Sequence, residues 1–306
     1  MTDADPFGCQ ELWQRCEAYM SRALGCRLRL IRASALPRST RDAPWRLDAE
    51  VDGTARSYVL RLGSRGLEHE YRLLRAMESV AIPTPHAYGW DPEGKALGKP
   101  CFFSDFVAGE SLLGPLLAHE AWAEALYIDA VCQLQSINRE QLASVSDRLD
   151  DESASDVLEA AYESLRSQSD PLVEQAYAVL KRTMPPLPAV RFSNGDLWPD
   201  NFIVRDGQWA GTIDWANACF SDPIFEFLLL FFLRPEVCGR GLEERYCQRM
   251  GFDPAVLSWY RGLEYFDTWH WVAKLGAPFE QHSEATLRRD LALWLEAQAF
   301  SEGDES

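Results

Sequence analysis

The side chains best suited to chemistry lie in one short segment of the chain. Asp196, Asn201 and Asp214 carry oxygen donors and follow one another at intervals of five and thirteen residues. Carboxylate and amide oxygens are the ligands that a hard cation such as Mg²⁺ takes, usually together with substrate phosphates. A hairpin would bring Asn201 and Asp214 to one metal ion, which leaves Asp196 free to orient and deprotonate a hydroxyl nucleophile. A chance arrangement of these three residues is the alternative explanation.

Short elements alternate with turns around these residues. A hairpin with Gly207 at its turn is predicted from strands at residues 202–205 and 209–213. The hairpin belongs to a compact β segment at 189–213, and helical periodicity is predicted on both sides of it. The predicted helices cover residues 120–139, 156–168 and 171–182, together with most of the chain after Pro223, where 225–233 reads as one buried helix.

The first third of the chain is predicted to be β-rich. Asp52-Gly53 has the composition of a hairpin turn between two of its strands. Alternating and helical apolar patterns predict strands at 27–35, 45–51, 55–62, 86–90 and 100–107 and helices at 11–24 and 67–80. We therefore expect an α+β fold of two lobes, a small β-rich lobe over residues 1–108 and a larger, mainly helical lobe over 109–306.

Composition narrows the class of protein and of partner. The 306 residues are 47% hydrophobic and 25% charged, which is typical of a globular chain. No apolar run is long enough to span a membrane, and the acidic N-terminus lacks a signal pattern, so we expect a cytoplasmic protein. A net charge of −17 disfavours nucleic acid and anionic lipid as partners; it favours a cationic partner or simply keeps the chain soluble. The eight cysteines are scattered, as reduced thiols are.

The central motif resembles a known family. Residues 195–201 read GDLWPDN, residues 213–215 read IDW, and Asp222-Pro223 follows. This pattern resembles that of the aminoglycoside phosphotransferase and choline kinase-like family, small-molecule kinases on the protein kinase-like fold. The resemblance implies transfer of the γ-phosphoryl group of ATP, or of GTP, to a hydroxyl group. It also implies that Asp196 is the catalytic base, that Asn201 and Asp214 are the Mg²⁺ ligands, and that Asp222 braces the catalytic loop.

The resemblance extends into the first lobe. Arg61 stands where the family places its phosphate-binding cation, and Glu70 resembles the helix-borne partner of that cation. An ordinary surface salt bridge is the alternative for this pair. Residues 100–110 resemble the hinge strand that reads the adenine edge with backbone groups. The implied nucleotide-binding residues in this strand are Phe103, Asp105 and Val107.

Three positions depart from the family pattern. Asn194 stands where the family usually has histidine, and Arg61 stands where many relatives have lysine, although arginine and lysine are not interchangeable. The expected nucleotide loop at 35–44 contains no glycine, so its backbone amides approach phosphate less freely. Arg38, Ser39, Thr40 and Arg41 are candidates to replace those amides with side chains.

A candidate acceptor surface lies on a predicted helix in the last third of the chain. Tyr260, Glu264, Asp267 and Trp271 fall on one helical face, and Asp200 in the central motif is a further candidate. Acidic and aromatic groups of this kind bind a cationic acceptor. The alternative is a half-buried helix whose acidic groups are solvated.

The sequence therefore predicts a small-molecule kinase, monomeric or homodimeric. A cationic acceptor is expected, and an aminoglycoside-type antibiotic or a similar metabolite is the leading class. A non-catalytic nucleotide or metabolite binder on the same fold is the alternative, since Asn194, Arg61 and the loop without glycine all depart from the pattern. A hydrolase has no support, because no G-x-S-x-G, H-E-x-x-H or P-loop pattern occurs.

Overall fold

The structure is a computed structural model that describes residues 6–36, 43–63, 66–237 and 241–303. The four side chains proposed to replace loop glycines, at positions 38–41, lie outside the described residues. No helix in the described ranges is long and apolar enough to cross a membrane.

The chain divides into two compact units that are not continuous in sequence. The first unit comprises Met1–Ser111, Arg139–Arg148 and Asp200–Asn217. The second unit comprises Leu112–Asn138, Leu149–Pro199 and Ala218–Ser306. Two segments from beyond residue 108 therefore fold with the N-terminal part of the chain.

The first unit contains most of the β-structure. Its main sheet is antiparallel with strand order β1-β2-β3-β5-β4, and a smaller sheet has the order β10-β9-β6; β7, β8 and β11 form a third sheet in the second unit. The strands are β1 Leu28–Ala35, β2 Trp45–Val51, β3 Thr54–Leu62, β4 Ala87–Asp91, β5 Cys101–Asp105, β6 Glu110–Ser111, β7 Asp151–Glu152, β8 Arg191–Ser193, β9 Phe202–Arg205, β10 Gln208–Thr212 and β11 Cys219–Ser221.

The second unit is mainly helical, so the predicted α+β organisation is confirmed. Among the residues that the structure describes, two α-helices belong to the first unit and eight to the second. The helices are α1 Gln10–Leu24, α2 Leu67–Met77, α3 Leu113–Leu117, α4 Ala121–Gln135, α5 Ala154–Leu165, α6 Pro171–Arg182, α7 Pro223–Leu233, α8 Leu242–Met250, α9 Leu257–Leu275 and α10 Glu284–Gly303.

Local turn chemistry sets the register of the two hairpins. Asp52 and Gly53 both have positive φ, 48° and 81°, and join β2 to β3. Asp206 and Gly207, with φ of 54° and 70°, join β9 to β10 in the same way. Asp and Gly adopt this left-handed conformation at low cost, which is why Asp-Gly favours a tight hairpin. The predicted hairpin at residues 202–213 is thereby confirmed.

Helix α7 begins at a strong start signal. Pro223 occupies the first turn, and the Asp222 carboxylate accepts hydrogen bonds from the backbone N–H groups of Ile224 at 3.0 Å and Phe225 at 3.1 Å. A side-chain cap of this kind satisfies amides that have no partner within the helix. The rest of α7 is largely apolar and buried, as predicted for residues 225–233.

Candidate active site

The loop that carries Asp196 is braced from inside while the Asp196 side chain is exposed. Asn194 is fully buried, and its side-chain N–H donates to the carbonyl of Asp196 at 2.8 Å. Gly195, with φ of 71°, provides the left-handed residue of the turn. Asn194 therefore supports the loop through the backbone, at the position where the family pattern has histidine.

Ser193 connects the same loop to helix α7. Its hydroxyl oxygen accepts from the Gly195 N–H at 3.0 Å, and the hydroxyl donates to the Glu226 carboxylate at 3.1 Å. Burial is the main cause that raises the pKa of Glu226 to about 7, and the nearby charges of Asp196 and Glu152 raise it further. The carboxyl beside the loop therefore titrates near neutral pH.

Tyr127 of α4 supports the residue that follows Asp196. The tyrosine is fully buried, and its hydroxyl donates to the Leu197 carbonyl at 2.8 Å. Burial, followed by the charges of Asp196 and Glu226, holds the pKa of Tyr127 well above its usual value, so the hydroxyl stays a donor. Backbone atoms on both sides of the Asp196 side chain are thus fixed by buried polar groups.

Asn201 and Asp214 are placed by the β9–β10 hairpin in the first unit. Asn201 precedes β9 and Asp214 follows β10, and the Ile213 N–H donates to the Asn201 carbonyl at 2.9 Å. Asp214 has φ of 56°, a left-handed conformation that aspartate tolerates better than most residues. The fully buried Trp215 holds this turn through a 2.9 Å hydrogen bond to the Thr212 carbonyl.

The donor chemistry of this hairpin end fits Mg²⁺. It offers one carboxylate and one amide oxygen, both hard donors, and Mg²⁺ is usually held by one or two protein ligands plus phosphate oxygens and water. Within the described residues, no group of three or more His, Cys, Asp or Glu side chains could hold a metal ion. The carboxylate and the amide oxygen fit a metal that substrate phosphates help to bind.

Arg61 and Glu70 form a largely buried ion pair. Arg61 lies on β3 and Glu70 on α2, and their charged groups are 2.8 Å apart with side chains only 12% and 4% exposed. This burial distinguishes the pair from the surface salt bridge considered above. A guanidinium held in one orientation by a buried carboxylate is suited to bidentate contact with phosphate.

The side chains of two predicted hinge residues, Phe103 and Asp105, make contacts within the fold. Phe103 is fully buried and packs between Tyr19, Tyr58 and Tyr88. The Asp105 carboxylate accepts from the Tyr88 hydroxyl at 3.2 Å and from the His86 N–H at 3.3 Å. These two side chains are therefore engaged in the fold, and the Asp105 backbone N–H donates to the His86 carbonyl at 3.0 Å. The predicted contact of this strand with adenine stays a prediction.

The remaining hinge and loop candidates are half-buried or exposed. Val107 is half-buried, and it lies so close to Gly211 that a Cβ there would be 3.0 Å from a Val107 methyl carbon. Asp200 is exposed, and its carboxylate accepts a hydrogen bond from the Ser111 hydroxyl.

The predicted acceptor surface lies on one face of α9, which runs from the core to the surface. Tyr260 is fully buried and donates to Asp222 at 2.8 Å. Glu264 is only 1% exposed, and neither of its carboxylate oxygens has a hydrogen-bond partner. Asp267 is partly buried, whereas Trp271 is exposed and its ring already lies under the Lys274 ammonium, 4.5 Å from the ring centroid.

The pKa of the Glu264 carboxyl on this face is strongly shifted. Burial is the main cause that holds its pKa well above the usual value, and the negative charges of Asp267 and Glu226 add to the effect. A positive charge placed beside Glu264 would satisfy both unpaired oxygens and remove this repulsion. The middle of the face, rather than its ends, is therefore suited to a cation.

Comparison with known proteins identifies the family. The model of the phosphotransferase enzyme family matches residues 46–260, more than half of the chain. The chain belongs to the phosphotransferase enzyme family. The predicted class of enzyme, a phosphotransferase, is thereby confirmed. No sequence match is found among curated proteins.

Solved structures share the fold of this phosphotransferase. A putative aminoglycoside phosphotransferase from Ralstonia eutropha JMP134 is 15% identical with a TM-score of 0.69, over 92% of this chain and 95% of that one. A thermostable mutant of aminoglycoside phosphotransferase APH(4)-Ia, in complex with AMP-PNP and hygromycin B, is 17% identical with a TM-score of 0.64, over 92% and 97%. Macrolide 2'-phosphotransferase MphH from Brachybacterium faecium is 16% identical with a TM-score of 0.56, over 93% and 98%.

These similarities confirm the predicted protein kinase-like fold and the predicted enzyme class. At such low identity, the solved structures show the fold and leave the acceptor of this phosphotransferase as a separate question.

Sequence reasoning missed two groups that hold the catalytic loop of the phosphotransferase. Ser193 lies directly before Asn194, and this position beside the motif is the local signal for its role. Tyr127 is 70 residues away from the carbonyl that it contacts, and nothing in the motif points to it. Their roles depend on tertiary contacts.

Proposed function

We propose that this phosphotransferase moves the γ-phosphoryl group of ATP to a hydroxyl of a small cationic molecule, such as an aminoglycoside-type antibiotic or a similar metabolite. The observation that carries the proposal is the exposed Asp196 carboxylate on a loop whose backbone is held by Asn194, Ser193 and Tyr127. The AMP-PNP and hygromycin B complex of APH(4)-Ia supports a nucleotide and an acceptor of these classes. GTP is the alternative nucleotide.

In this reaction, Asp196 acts as the general base. Its carboxylate accepts the proton of the acceptor hydroxyl while the hydroxyl oxygen forms a bond to the γ-phosphorus. The bond between that phosphorus and the oxygen that bridges to the β-phosphate breaks, and ADP leaves with the electron pair. A base on a rigid loop favours the step because the oxygen and phosphorus are already aligned.

Asn201, Asp214 and Arg61 are the groups proposed to bind the triphosphate. The first two would hold Mg²⁺, which supplies positive charge against the phosphate oxygens when it is bound. Arg61, held in place by Glu70 at 2.8 Å, adds a second, fixed positive charge. The hinge strand around Phe103, Asp105 and Val107 would bind the base through backbone groups.

The acceptor is proposed to bind against α9 through its positive charge. Glu264 offers a buried carboxyl without a hydrogen-bond partner, and Asp267 adds a second carboxylate one helical turn later. Trp271 is exposed at the end of this face and would add an aromatic contact, while Asp200, exposed in the first unit, stays a separate candidate. An acceptor with at least one ammonium group satisfies this arrangement better than a neutral sugar.

The proposal is tested with Asp196→Asn, which removes the base and keeps the shape of the side chain. We expect kcat for phosphoryl transfer to hygromycin B, or to another acceptor from an aminoglycoside panel, to fall by roughly a hundredfold or more. Asp206→Asn is the matched control, because it makes the same change in an exposed hairpin turn whose positive φ asparagine also tolerates. Equal kcat in wild type and Asp196→Asn would contradict the assignment.

Measuring nucleotide binding separately from turnover distinguishes a kinase from a non-catalytic nucleotide binder. Isothermal titration with Mg²⁺ and ATP reports binding independently of turnover. Binding without ADP release for every acceptor in the panel would favour the non-catalytic nucleotide binder.

A further inference from the structure

The Ser193 hydroxyl connects helix α7 to the loop of Asp196 by hydrogen bonds. Glu226, in the first turn of α7, accepts the Ser193 hydroxyl at 3.1 Å. The same hydroxyl oxygen accepts the backbone N–H of Gly195, the residue directly before Asp196, at 3.0 Å. Glu226 is therefore joined to the backbone next to the proposed base by two hydrogen bonds in series.

The protonation state of Glu226 decides how the two hydrogen bonds of Ser193 are arranged. A serine hydroxyl has one proton to donate and lone pairs that accept. When Glu226 is ionised, it can only accept, so the Ser193 proton points to Glu226 and the serine oxygen is available to the Gly195 N–H. A protonated Glu226 can instead donate to that oxygen, which then serves two donors and is a weaker acceptor for the Gly195 N–H. The distances of 3.1 Å and 3.0 Å fit the arrangement in which an ionised Glu226 accepts the Ser193 proton.

The groups that face Glu226 are acidic or neutral. Asp196 lies on the catalytic loop, Glu152 on β7 and Glu264 on α9, and each interacts with Glu226 electrostatically. Tyr127 on α4 and Cys219 on β11 interact with it as well. Burial and this surrounding negative charge bring the pKa of Glu226 to about 7. Small changes of pH around neutrality therefore change the charge of Glu226.

We propose that Glu226 is a positioning residue that keeps the Asp196 loop in its working geometry when it is ionised and releases that support when it gains a proton. Glu226 acts through Ser193 and Gly195 and does not touch the reacting atoms. The consequence for catalysis rests on the proposed role of Asp196 as the base. The consequence for loop geometry is independent of that role.

The loop geometry is tested by amide hydrogen exchange of Gly195 in the full-length protein. In wild type, we expect the protection factor of this amide to fall about tenfold as the pH is lowered from 8.5 to 5.5, which corresponds to the loss of one hydrogen bond of ordinary strength. In Glu226→Gln, the protection factor should be low and independent of pH over that range. Ser193→Ala provides a second test that leaves Glu226 in place, and it should show the same low protection.

Turnover is measured on the same proteins, with Mg²⁺, ATP and hygromycin B as the probe acceptor. The wild-type kcat should decline on the acid side with a midpoint near pH 7, and Glu226→Gln should have a kcat about tenfold lower at pH 8 with that decline removed. Glu226→Asp, which restores a carboxylate, should recover the pH dependence. The KM for ATP should be unchanged throughout, because Glu226 does not contact the nucleotide. The pH dependence of kcat, lost in Glu226→Gln and recovered in Glu226→Asp, is the result that a merely destabilised protein would not give.

The outcomes distinguish this inference from the proposed function. Equal Gly195 protection in wild type, Glu226→Gln and Ser193→Ala, at every pH, would overturn the inference even if phosphoryl transfer is observed. The expected exchange pattern with no turnover by any variant would support the positioning of the loop and count against the proposed reaction.

Discussion

Tyr260 donates a hydrogen bond of 2.8 Å to the carboxylate of Asp222, and both side chains are buried. The other oxygen of that carboxylate caps α7 through Ile224 and Phe225. One carboxylate therefore ties α9 to the start of α7. This contact makes Tyr260 a structural partner of Asp222, whereas its spacing on the helix predicts an acceptor contact.

The first prediction concerns that hydrogen bond. Tyr260→Phe should lower the free energy of unfolding by about 2 kcal/mol, because Asp222 loses a buried hydrogen-bond donor. The KM for the acceptor should stay unchanged. Urea denaturation and steady-state kinetics measure the two quantities. A raised acceptor KM at unchanged stability would instead place Tyr260 in contact with the acceptor.

The second prediction concerns the buried Arg61–Glu70 pair. Glu70→Gln should lower the free energy of unfolding by about 3 kcal/mol, because it leaves a mostly buried guanidinium without its counter-charge. It should also weaken ATP binding, since Arg61 loses its fixed orientation. Glu50→Gln is the matched control, as Arg29 and Glu50 form an equally short pair of 2.8 Å with side chains 67% and 43% exposed. That exposed pair should contribute much less, because solvent screens its charges.

The third prediction concerns the pH dependence caused by Glu264. Its folded pKa lies well above the ordinary value of 4.5, so the folded protein binds this proton more tightly than the unfolded chain does. Stability contributed by the protonated carboxyl is therefore lost as the pH rises above that ordinary value. Glu264→Gln, which is neutral at every pH, should raise Tm relative to wild type at pH 8 and change it little at pH 4.

The acceptor provides a second measurement on the same variant. Glu264→Gln should raise the KM for a cationic acceptor while the KM for ATP stays constant. A Tm difference between the two proteins that does not vary with pH would show that Glu264 has an ordinary pKa in the folded state.

The fourth prediction concerns the packing of α9 against α10. A Cβ at Gly262 would lie 2.4 Å from two ring atoms of Trp294, whose indole N–H donates to the Ser258 carbonyl at 2.8 Å. Overpacking should cost about 1–3 kcal/mol, and the helix propensity gained by alanine offsets about 1 kcal/mol. Gly262→Ala should therefore destabilise the protein by up to about 2 kcal/mol. Gly114→Ala in α3 is the control, because nothing lies within 4 Å of its Cβ position. Thermal unfolding should show a lower Tm for Gly262→Ala alone.

Prediction from sequence was accurate where the signal is local. Strand β2 was predicted with the bounds that the structure has, and helix α6 likewise, because alternation, helical periodicity and a proline at the helix start act over a few residues. Helix α2 is an exception: it was predicted to reach residue 80 but ends at Met77. The Val80 N–H bonds to the Met77 carbonyl at 2.9 Å, a tighter turn that a helical apolar pattern does not distinguish from α-helix.

The motif itself was likewise within reach of the sequence, because Asp196, Asn201 and Asp214 are separated by one loop and one hairpin, and the roles of these residues stay predictions. Only the tertiary structure decided what holds them. Ser193 meets Glu226 across 33 residues, Tyr260 meets Asp222 across 38, and Tyr127 meets Leu197 across 70. Local propensity carries no information about such pairs. Each pair forms because packing excludes water, so a buried polar group must hydrogen-bond to another part of the chain.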